Sequence, residues 1–222
     1  MKIAIDGPAG AGKSTISKAA AKRLGFVYID TGAMYRGIGL AAVRRGIDTK
    51  DVKGVISILD QVEITIKHNE EGQQIFLNGE NVSTEIRLPE ISVAASNVAV
   101  IPEVRLKLVE LQRALAEKED VIMDGRDIGT YVLPDAEVKI FLSASVEERA
   151  KRRLAELIEK GVETDLEAVR TDMEYRDKND SGREFAPLKP AEDSIPLDNT
   201  NITIEEAVEF VCNLANRQRG VK

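Results

Sequence analysis

The sequence has few of the residues that build disulfide frameworks and transition-metal sites. Its 222 residues include one cysteine, one histidine and no tryptophan, and only 4% are aromatic. The single cysteine, Cys212, excludes intramolecular disulfides and multi-cysteine metal sites, and the single histidine, His68, excludes most zinc enzymes. We therefore expect a protein of a reducing compartment.

An excess of positive charge and long apolar runs are missing as well. The 31 Lys and Arg residues are outnumbered by 38 Asp and Glu residues, which gives a net charge of -7. This balance argues against a protein that coats nucleic acid or an anionic membrane, because attraction to phosphate backbones rises with positive charge. No apolar run approaches the length of a membrane span, and the first residues do not resemble a signal peptide. We expect a cytoplasmic protein with neither a nucleic-acid polymer nor a membrane as its partner.

Short apolar runs of strand length recur along the chain, and each is followed by a stretch with helical spacing. The runs are residues 3–5, 26–29, 121–123, 138–142 and 195–197. This alternation is typical of a parallel sheet covered by helices, so we predict an α/β fold with five core strands. Ser/Thr-x-x-Glu capping boxes at 145–148, 164–167 and 203–206 predict three helix starts.

One segment breaks the alternation. Over residues 62–82 the apolar positions recur with a period of two, and Glu71-Gly72 and Asn78-Gly79 supply turn residues. We predict a small antiparallel meander inserted into the parallel fold. The late Ser181-Gly182 break is expected to end a helix.

The strongest local motif is a phosphate cradle. Residues 7–14 match Gly-x-x-x-x-Gly-Lys-Ser, directly after an apolar strand and before a helical stretch. Small residues let backbone amides curl around a di- or triphosphate, and Lys13 neutralises charge between the outer phosphates. Ser14 offers its hydroxyl to Mg²⁺, which prefers oxygen ligands. The motif predicts a P-loop that binds a nucleoside triphosphate.

Other nucleotide-binding classes fit less well. A dinucleotide fold needs glycine where this chain has Thr15. A GTPase needs Asn-Lys-x-Asp after a strand, and the nearest string, at 177–180, lacks the first Asn. A chain of this length leaves little room for the coupling apparatus of a motor ATPase. The sequence therefore favours an enzyme that transfers a phosphoryl group to a small molecule.

Phosphoryl transfer requires cations that neutralise the transferring group, so arginines near the strand ends are informative. Arg36 follows the second strand, in a helix that Thr31 is expected to cap. Arg126 follows the third strand within Asp124-Gly125-Arg126-Asp127. Ligands bind at the carboxyl edge of such sheets, so this charged loop predicts a functional site.

Five elements, taken in order, resemble bacterial cytidylate kinases. They are the P-loop, Asp-Thr-Gly-Ala-Met-Tyr-Arg at 30–36, Asp-Gly-Arg-Asp-Ile-Gly-Thr at 124–130, Glu-Arg-Ala-Lys-Arg-Arg at 148–153, and Arg176-Asp177 to Arg183 followed by Ala-Pro-Leu at 186–188. The similarity spans nearly the whole chain. The P-loop is widespread, but the second, third and fifth elements together mark this family.

The resemblance implies a three-layer P-loop NTPase fold with a five-stranded parallel sheet and a short helical lid. It implies a single kinase domain, 1–222, with its core at about 1–60, 84–148 and 184–222, a nucleoside-monophosphate-binding insert at about 61–83 and a lid at about 149–183. The implied activity is transfer of the γ-phosphoryl group of ATP to CMP or dCMP with Mg²⁺, by an enzyme that we expect to be a monomer.

The resemblance also implies site residues. The ATP cradle is Gly7, Pro8, Ala9, Gly10, Ala11, Gly12, Lys13, Ser14 and Thr15. Arg36 and Arg126 hold the acceptor phosphate. The other substrate-binding residues near it are Thr31, Tyr35 and Asp124. The cytosine edge is recognised by Ser96, Arg105 and Asp127. Arg176, Asp180 and Arg183 surround the sugar and base, and Arg149, Arg152 and Arg153 close over the triphosphate from the lid.

Several competing interpretations stay open at this stage. Arg105 lies one position off the apolar stripe of its helix, as an ordinary exposed residue would, and Ser96 has the size of a packing residue. Arg176 and Asp180 have the spacing of a helical ion pair, and the lid arginines have acidic neighbours typical of a solvated face. Asp124 either holds a magnesium-bound water or organises the P-loop. The rival functions are a UMP or AMP kinase and a non-catalytic ATP-binding switch.

Overall fold

The computed structural model describes residues 1–69 and 72–220, and the chain within it packs as two units. The strands are β1 Lys2–Asp6, β2 Val27–Asp30, β3 Ile64–Asn69, β4 Gly72–Leu77, β5 Glu80–Asn81, β6 Val121–Gly125, β7 Val138–Ser143 and β8 Ile195–Asp198. The α-helices are α1 Lys13–Leu24, α2 Thr31–Arg44, α3 Val52–Ile58, α4 Pro89–Val98, α5 Pro102–Ala116, α6 Val146–Glu159, α7 Leu166–Ser181 and α8 Ile204–Gln218.

The first unit consists of residues 1–28 and 119–220 and contains the main sheet except for the last two residues of β2. Its strand order is β2-β6-β1-β7-β8, which confirms the predicted five-stranded parallel sheet. In the pairing of β1 with β6, Ile3 lies opposite Ile122 and Asp6 lies opposite Gly125. The loops that follow these two neighbouring strands therefore begin side by side at one edge of the sheet.

Apolar side chains between the sheet and its helices form the core of this unit. Ile3 and Ile5 of β1 pack in one cluster with Ile16 of α1 and with Val208 and Val211 of α8. Cys212 belongs to the same cluster and is buried. Burying such side chains contributes about 1.5–3 kcal/mol each, so this cluster supplies the support on which the loops at the sheet edge rest.

Helices α6 and α7, which follow one another in sequence, pack through a smaller cluster that contains Ala150, Leu157, Val169 and Met173. Two of the three predicted capping boxes mark real helix starts: Ser145 accepts from the Glu148 N–H, and Thr203 forms the full box with Glu206. The third predicted capping box, at 164–167, was wrong. Asp165, not the threonine before it, caps α7 by accepting from the Ala168 N–H, because the carboxylate is an equally good cap one residue later.

The second unit consists of residues 29–118, in which α2 packs against α4 and against β4. The predicted meander is confirmed as the three-stranded antiparallel sheet β3-β4-β5. Asn78 and Gly79 have φ values of 49° and 85°, as a tight hairpin turn requires. The other predicted turn, Glu71-Gly72, begins outside the described residues. His68 is exposed on β3.

Within the described ranges, no helix combines the length and the low charge needed to cross a bilayer. The boundaries of the two units fall at residues 28/29 and 118/119. The predicted division into core, insert and lid follows roles rather than packing and stays a prediction.

Candidate active site

The P-loop leaves β1 against the backbone of the neighbouring strand. A Cβ atom at Gly7 would lie 2.0 Å from the carbonyl oxygen of Leu142 on β7, so only glycine fits at this position. Gly10 and Gly12 have φ values of 70° and 89°, and α1 begins directly after them at Lys13. The loop therefore turns back onto the positive end of a helix, the arrangement that binds phosphate groups.

Lys13 is buried and folds back over the loop. Its ammonium group donates a hydrogen bond of 2.7 Å to the carbonyl of Pro8. Burial, followed by the positive charge of Arg126, lowers the pKa of Lys13. Arg126 thus lies close enough to Lys13 for the two cations to influence each other, which makes this region attractive to a polyanion.

Ser14 contacts the carboxylate that ends β6. The Ser14 hydroxyl donates to Asp124 Oδ2 at 3.0 Å, and the Tyr28 hydroxyl donates to Asp124 Oδ1 at 2.8 Å. Hydroxyl and carboxylate oxygens are the ligands that Mg²⁺ prefers, and Mg²⁺ usually keeps waters and phosphate oxygens as its other ligands. The residues present therefore fit Mg²⁺, although the described residues contain no cluster of three acidic, His or Cys side chains that could hold a metal.

The loop after β6 brings Arg126 to a buried carboxylate of α7. Arg126 Nε donates to Asp180 Oδ2 at 2.6 Å, and Arg183 also pairs with Asp180. Burial raises the pKa of Asp180, but Arg126 and Arg183 outweigh it and hold that pKa below its ordinary value. As expected, α7 ends at Ser181, before Arg183. Arg176 lies 3.9 Å from Asp172, which has the same four-residue helical spacing from Arg176 as Asp180 has.

Asp6 anchors the other end of this loop. Its two carboxylate oxygens accept hydrogen bonds of 2.8 Å from the N–H groups of Ile128 and Gly129. These residues start a π-helical turn, Ile128–Val132, that follows the buried Asp127. Burial raises the pKa of Asp6 to about 7, although the two backbone hydrogen bonds lower it and Asp127 adds to the rise.

The three arginines of α6 have different surroundings. Arg149 is buried and donates to the carbonyl of Ala9 at 2.8 Å, so the solvated-face interpretation is wrong for this residue. Arg152 donates to the side chain and, at 2.9 Å, to the carbonyl of Asn199. Arg153 pairs with Glu156 at 2.8 Å, as the alternative interpretation expected.

In the second unit, Asp30 holds the start of α2. It accepts from the Ala33 N–H at 2.9 Å and pairs with Arg36 at 2.9 Å and Arg87 at 3.1 Å. Thr31 was predicted to cap α2, but Asp30 is the cap because its carboxylate reaches the third residue of the helix. Burial raises the pKa of Asp30, yet Arg36 and Arg87 bring it below the ordinary value.

Also in the second unit, Arg105 is completely buried. The exposed-residue interpretation is therefore wrong. Its guanidinium group donates to the Ala99 carbonyl at 3.2 Å and lies 5.6 Å from the centre of the Tyr35 ring. Ser96 is buried in α4. A fully buried arginine is costly unless its charge has partners, so such a residue points to a functional role.

Sequence reasoning missed three residues that organise the P-loop surroundings: Asn199, Asp177 and Asp6. The Asn199 amide donates to the Ala11 carbonyl at 2.9 Å. A signal for Asn199 existed, because polar residues directly follow the predicted strand at 195–197, just as they follow β6. No spacing signal singles out Asp177 on its charged helix.

A P-loop at the carboxyl edge of a parallel sheet defines a P-loop phosphate-binding protein. Two solved structures share this fold. A gluconokinase from Sinorhizobium meliloti 1021 matches with a TM-score of 0.52 and 14% identity, over 99% of this chain and 94% of that chain. An uncharacterized protein from Eubacterium ventriosum ATCC 27560 matches with a TM-score of 0.55 and 14% identity, over 96% of each chain.

The comparison with sequence families is more specific. The model of the cytidylate kinase family matches residues 3–217. A cytidylate kinase from Caldicellulosiruptor saccharolyticus is 55% identical over 96% of this chain and 95% of its own length. A cytidylate kinase from a Geobacillus species is 53% identical over 99% of this chain and 98% of its own length. The chain belongs to the cytidylate kinase family, which confirms the resemblance.

Proposed function

We propose that this protein transfers the γ-phosphoryl group of ATP to CMP or dCMP, producing ADP and CDP or dCDP. One observation carries the proposal. The P-loop follows Asp6 of β1 and Arg126 follows Gly125 of β6, and these two strand ends are paired in register. A phosphate cradle and a guanidinium group thus start at neighbouring positions, as transfer between two phosphates requires.

The donor nucleotide binds at the P-loop. The backbone N–H groups of the loop hold the phosphates, and Lys13 neutralises their charge. Ser14 would hold Mg²⁺, with Asp124 beside it as ligand or as acceptor from a bound water. When bound, Mg²⁺ neutralises charge on the β- and γ-phosphates. Asp124 accepts hydrogen bonds from the hydroxyl groups of Ser14 and Tyr28. The bond from Ser14 supports a role for Asp124 in organising the P-loop, beside its proposed contact with a magnesium-bound water.

Arg36 and Arg126 are the proposed ligands of the acceptor phosphate. Each is already held by a buried carboxylate, Asp30 for Arg36 and Asp180 for Arg126. A guanidinium that is fixed before substrate binds loses less side-chain entropy when it grips a phosphate. No general base is needed, because the acceptor phosphate is an anionic nucleophile at neutral pH. We place Thr31 and Tyr35 beside this phosphate.

Base selection is assigned to Ser96, Arg105 and Asp127. All three side chains are buried. A carboxylate accepts from the exocyclic amine of cytosine, whereas the carbonyl of uracil at the same position leaves that carboxylate unpaired. Buried polar groups therefore favour CMP over UMP.

The remaining arginines are assigned to the sugar and to the donor phosphates. Arg176, Asp180 and Arg183 surround the ribose and base, and Arg149, Arg152 and Arg153 close over the triphosphate, excluding water that would otherwise accept the phosphoryl group. We infer a cytoplasmic monomer that acts on small nucleotides. Its net charge of -7 supports a partner that is not a nucleic-acid polymer.

The test is ADP production from ATP and Mg²⁺ with CMP, dCMP, UMP or AMP as acceptor. We expect kcat/KM for CMP and dCMP to exceed the values for UMP and AMP by a factor on the order of a hundred or more. A Lys13→Ala variant purified in parallel measures the background from contaminating kinases. Equal activity with UMP or AMP would contradict the proposed base selection.

A further inference from the structure

The backbone of one P-loop residue, Ala9, is hydrogen-bonded by side chains of both α6 and α7. The Ala9 N–H donates to Asp177 Oδ1 at 3.0 Å, and the Ala9 carbonyl accepts from Arg149 at 2.8 Å. Arg149 also donates to Asp177 Oδ2 at 2.6 Å. The three hydrogen bonds close a ring that consists of the backbone of Ala9, one carboxylate and one guanidinium group.

The same helices press on the next residue of the loop. A Cβ atom at Gly10 would lie 2.7 Å from the methyl carbon of Met173 and 3.3 Å from the carbonyl oxygen of Arg149. Met173 lies one turn before Asp177 on α7. Because α6 and α7 pack against the tip of the P-loop, Asp177 is placed at the loop by packing as well as by its own hydrogen bonds.

Asp177 is surrounded by groups that attract anions. Its two carboxylate oxygens accept from the Ala9 N–H and from the Arg149 guanidinium group. Phosphate oxygens commonly accept hydrogen bonds from this combination of donors, a backbone N–H of a glycine-rich loop and a guanidinium group. A carboxylate in that position uses donors that a triphosphate would also use.

We propose that Asp177 is a further residue of the nucleotide site, whose carboxylate occupies the Ala9 N–H and Arg149 in the nucleotide-free protein and is displaced by the terminal phosphate of ATP. The inference rests on the proposed function, since it requires ATP at the P-loop. Asp177 then keeps the loop and Arg149 in place before ATP arrives, and its negative charge weakens ATP binding.

The sign of one substitution separates this role from a structural one. Asp177→Asn removes the charge and keeps one acceptor oxygen, so on this proposal ATP binds more tightly. A residue that only supports the loop gives the opposite result, because its loss loosens the cradle. ADP should respond less than ATP, because it lacks the terminal phosphate that competes with the carboxylate.

The experiment is isothermal titration calorimetry of the full chain with ATP and, separately, with ADP, both without an acceptor nucleotide. For Asp177→Asn and Asp177→Ala, we expect the Kd for ATP to fall about fivefold and the Kd for ADP to change by less than about twofold. The matched control is Glu174→Gln, which removes the same charge from an exposed position on α7 where the carboxylate pairs with Arg170 at 2.9 Å. It should change neither Kd.

The outcomes are decisive in each case. Unchanged or weaker ATP binding by both variants overturns the proposal, and so does failure of both variants to fold in a thermal melt, which would make Asp177 a structural residue. A wild-type protein that does not bind ATP contradicts the proposed function itself. Tighter ATP binding that Glu174→Gln reproduces would be a general charge effect and would also overturn the assignment.

Discussion

Each of the two units holds a pair of arginines on one buried aspartate. In the first unit, Asp180 pairs with Arg126 at 2.6 Å and with Arg183. In the second unit, Asp30 pairs with Arg36 at 2.9 Å and with Arg87 at 3.1 Å. In both, the arginines overcome the effect of burial and keep the pKa of the carboxyl below its ordinary value.

The two pairs differ in how far their arginines are buried. Both combine a near arginine with a distant one: Arg183 lies three residues from Asp180, and Arg36 lies six residues from Asp30. The other arginine of each pair comes from a distant part of the chain. The Arg183 side chain is 3% exposed, whereas Arg87 is 45% exposed. The first unit therefore depends more strongly on its aspartate.

The largest expected effect is on catalysis in the first unit. Arg126→Lys keeps the charge but loses the planar fork, so we expect kcat/KM for CMP to fall on the order of a thousandfold. Steady-state assays of ADP production measure the loss. Arg217→Lys, at an exposed position of α8, is the matched control and should leave activity unchanged. A loss below tenfold would remove Arg126 from the phosphate site.

Loss of the first unit's aspartate should have the next largest effect, on stability, and the size of that effect measures the difference between the two aspartates. Asp180→Ala leaves Arg126 and Arg183 without their shared carboxylate, and breaking such a buried pair costs about 3 kcal/mol. Urea denaturation measures the free energy of unfolding. A cost of about 2 kcal/mol or less, the value expected for Asp30→Ala in the second unit, would show that the first unit depends on its aspartate no more than the second does.

A third buried carboxylate, Asp6, provides a contrast, because burial dominates there and raises its pKa from 3.8 to about 7. Between these two values the folded state binds one proton more than the unfolded state. The stabilisation from Asp6 is therefore complete below pH 3.8 and is lost as the pH rises to about 7.

Asp6→Asn should abolish this contribution. The stability of the wild type, relative to the variant, should fall by about 1 kcal/mol for each pH unit between roughly pH 4 and pH 7. Urea titrations of both proteins at a series of pH values give the difference, in which the other titrating groups cancel. A difference that does not vary with pH would contradict the raised pKa.

The smallest effect is expected at Asp30. Asparagine is as good a helix cap as aspartate, and Arg87 is largely solvated, so Asp30→Asn should cost only about 1 kcal/mol of unfolding free energy. Asp30→Ala removes the cap as well and should cost about 1 kcal/mol more. If the two variants were equally stable, the carboxylate would not act as the cap of α2.

The sequence predicted those parts of the fold that depend on local chemistry. The five strands, the meander, the Asn78-Gly79 turn and the Thr203 capping box follow from periodicity, turn residues and caps within a few positions. The caps of α2 and α7 were misplaced by one residue, because Asp and Thr compete for the same role when they are adjacent. Which of two adjacent residues caps the helix depends on which side chain reaches the third helical N–H.

The contacts between side chains of the candidate site could be predicted only where they are local or carried by a motif. The P-loop and Arg126 were found because glycine spacing and strand ends are visible in sequence. The burial of Arg105, the Asp6 anchor and the Asn199 contact depend on residues between about six and 190 positions apart, and no spacing rule reports such packing.

The most direct test of the central claim is the stoichiometry of the reaction. With ATP, Mg²⁺ and CMP, separation of the nucleotides should show one CDP formed for each ATP consumed and little inorganic phosphate, because the acceptor and not water receives the phosphoryl group. Tight binding of ATP without formation of CDP or dCDP would contradict the account and leave a non-catalytic ATP-binding protein.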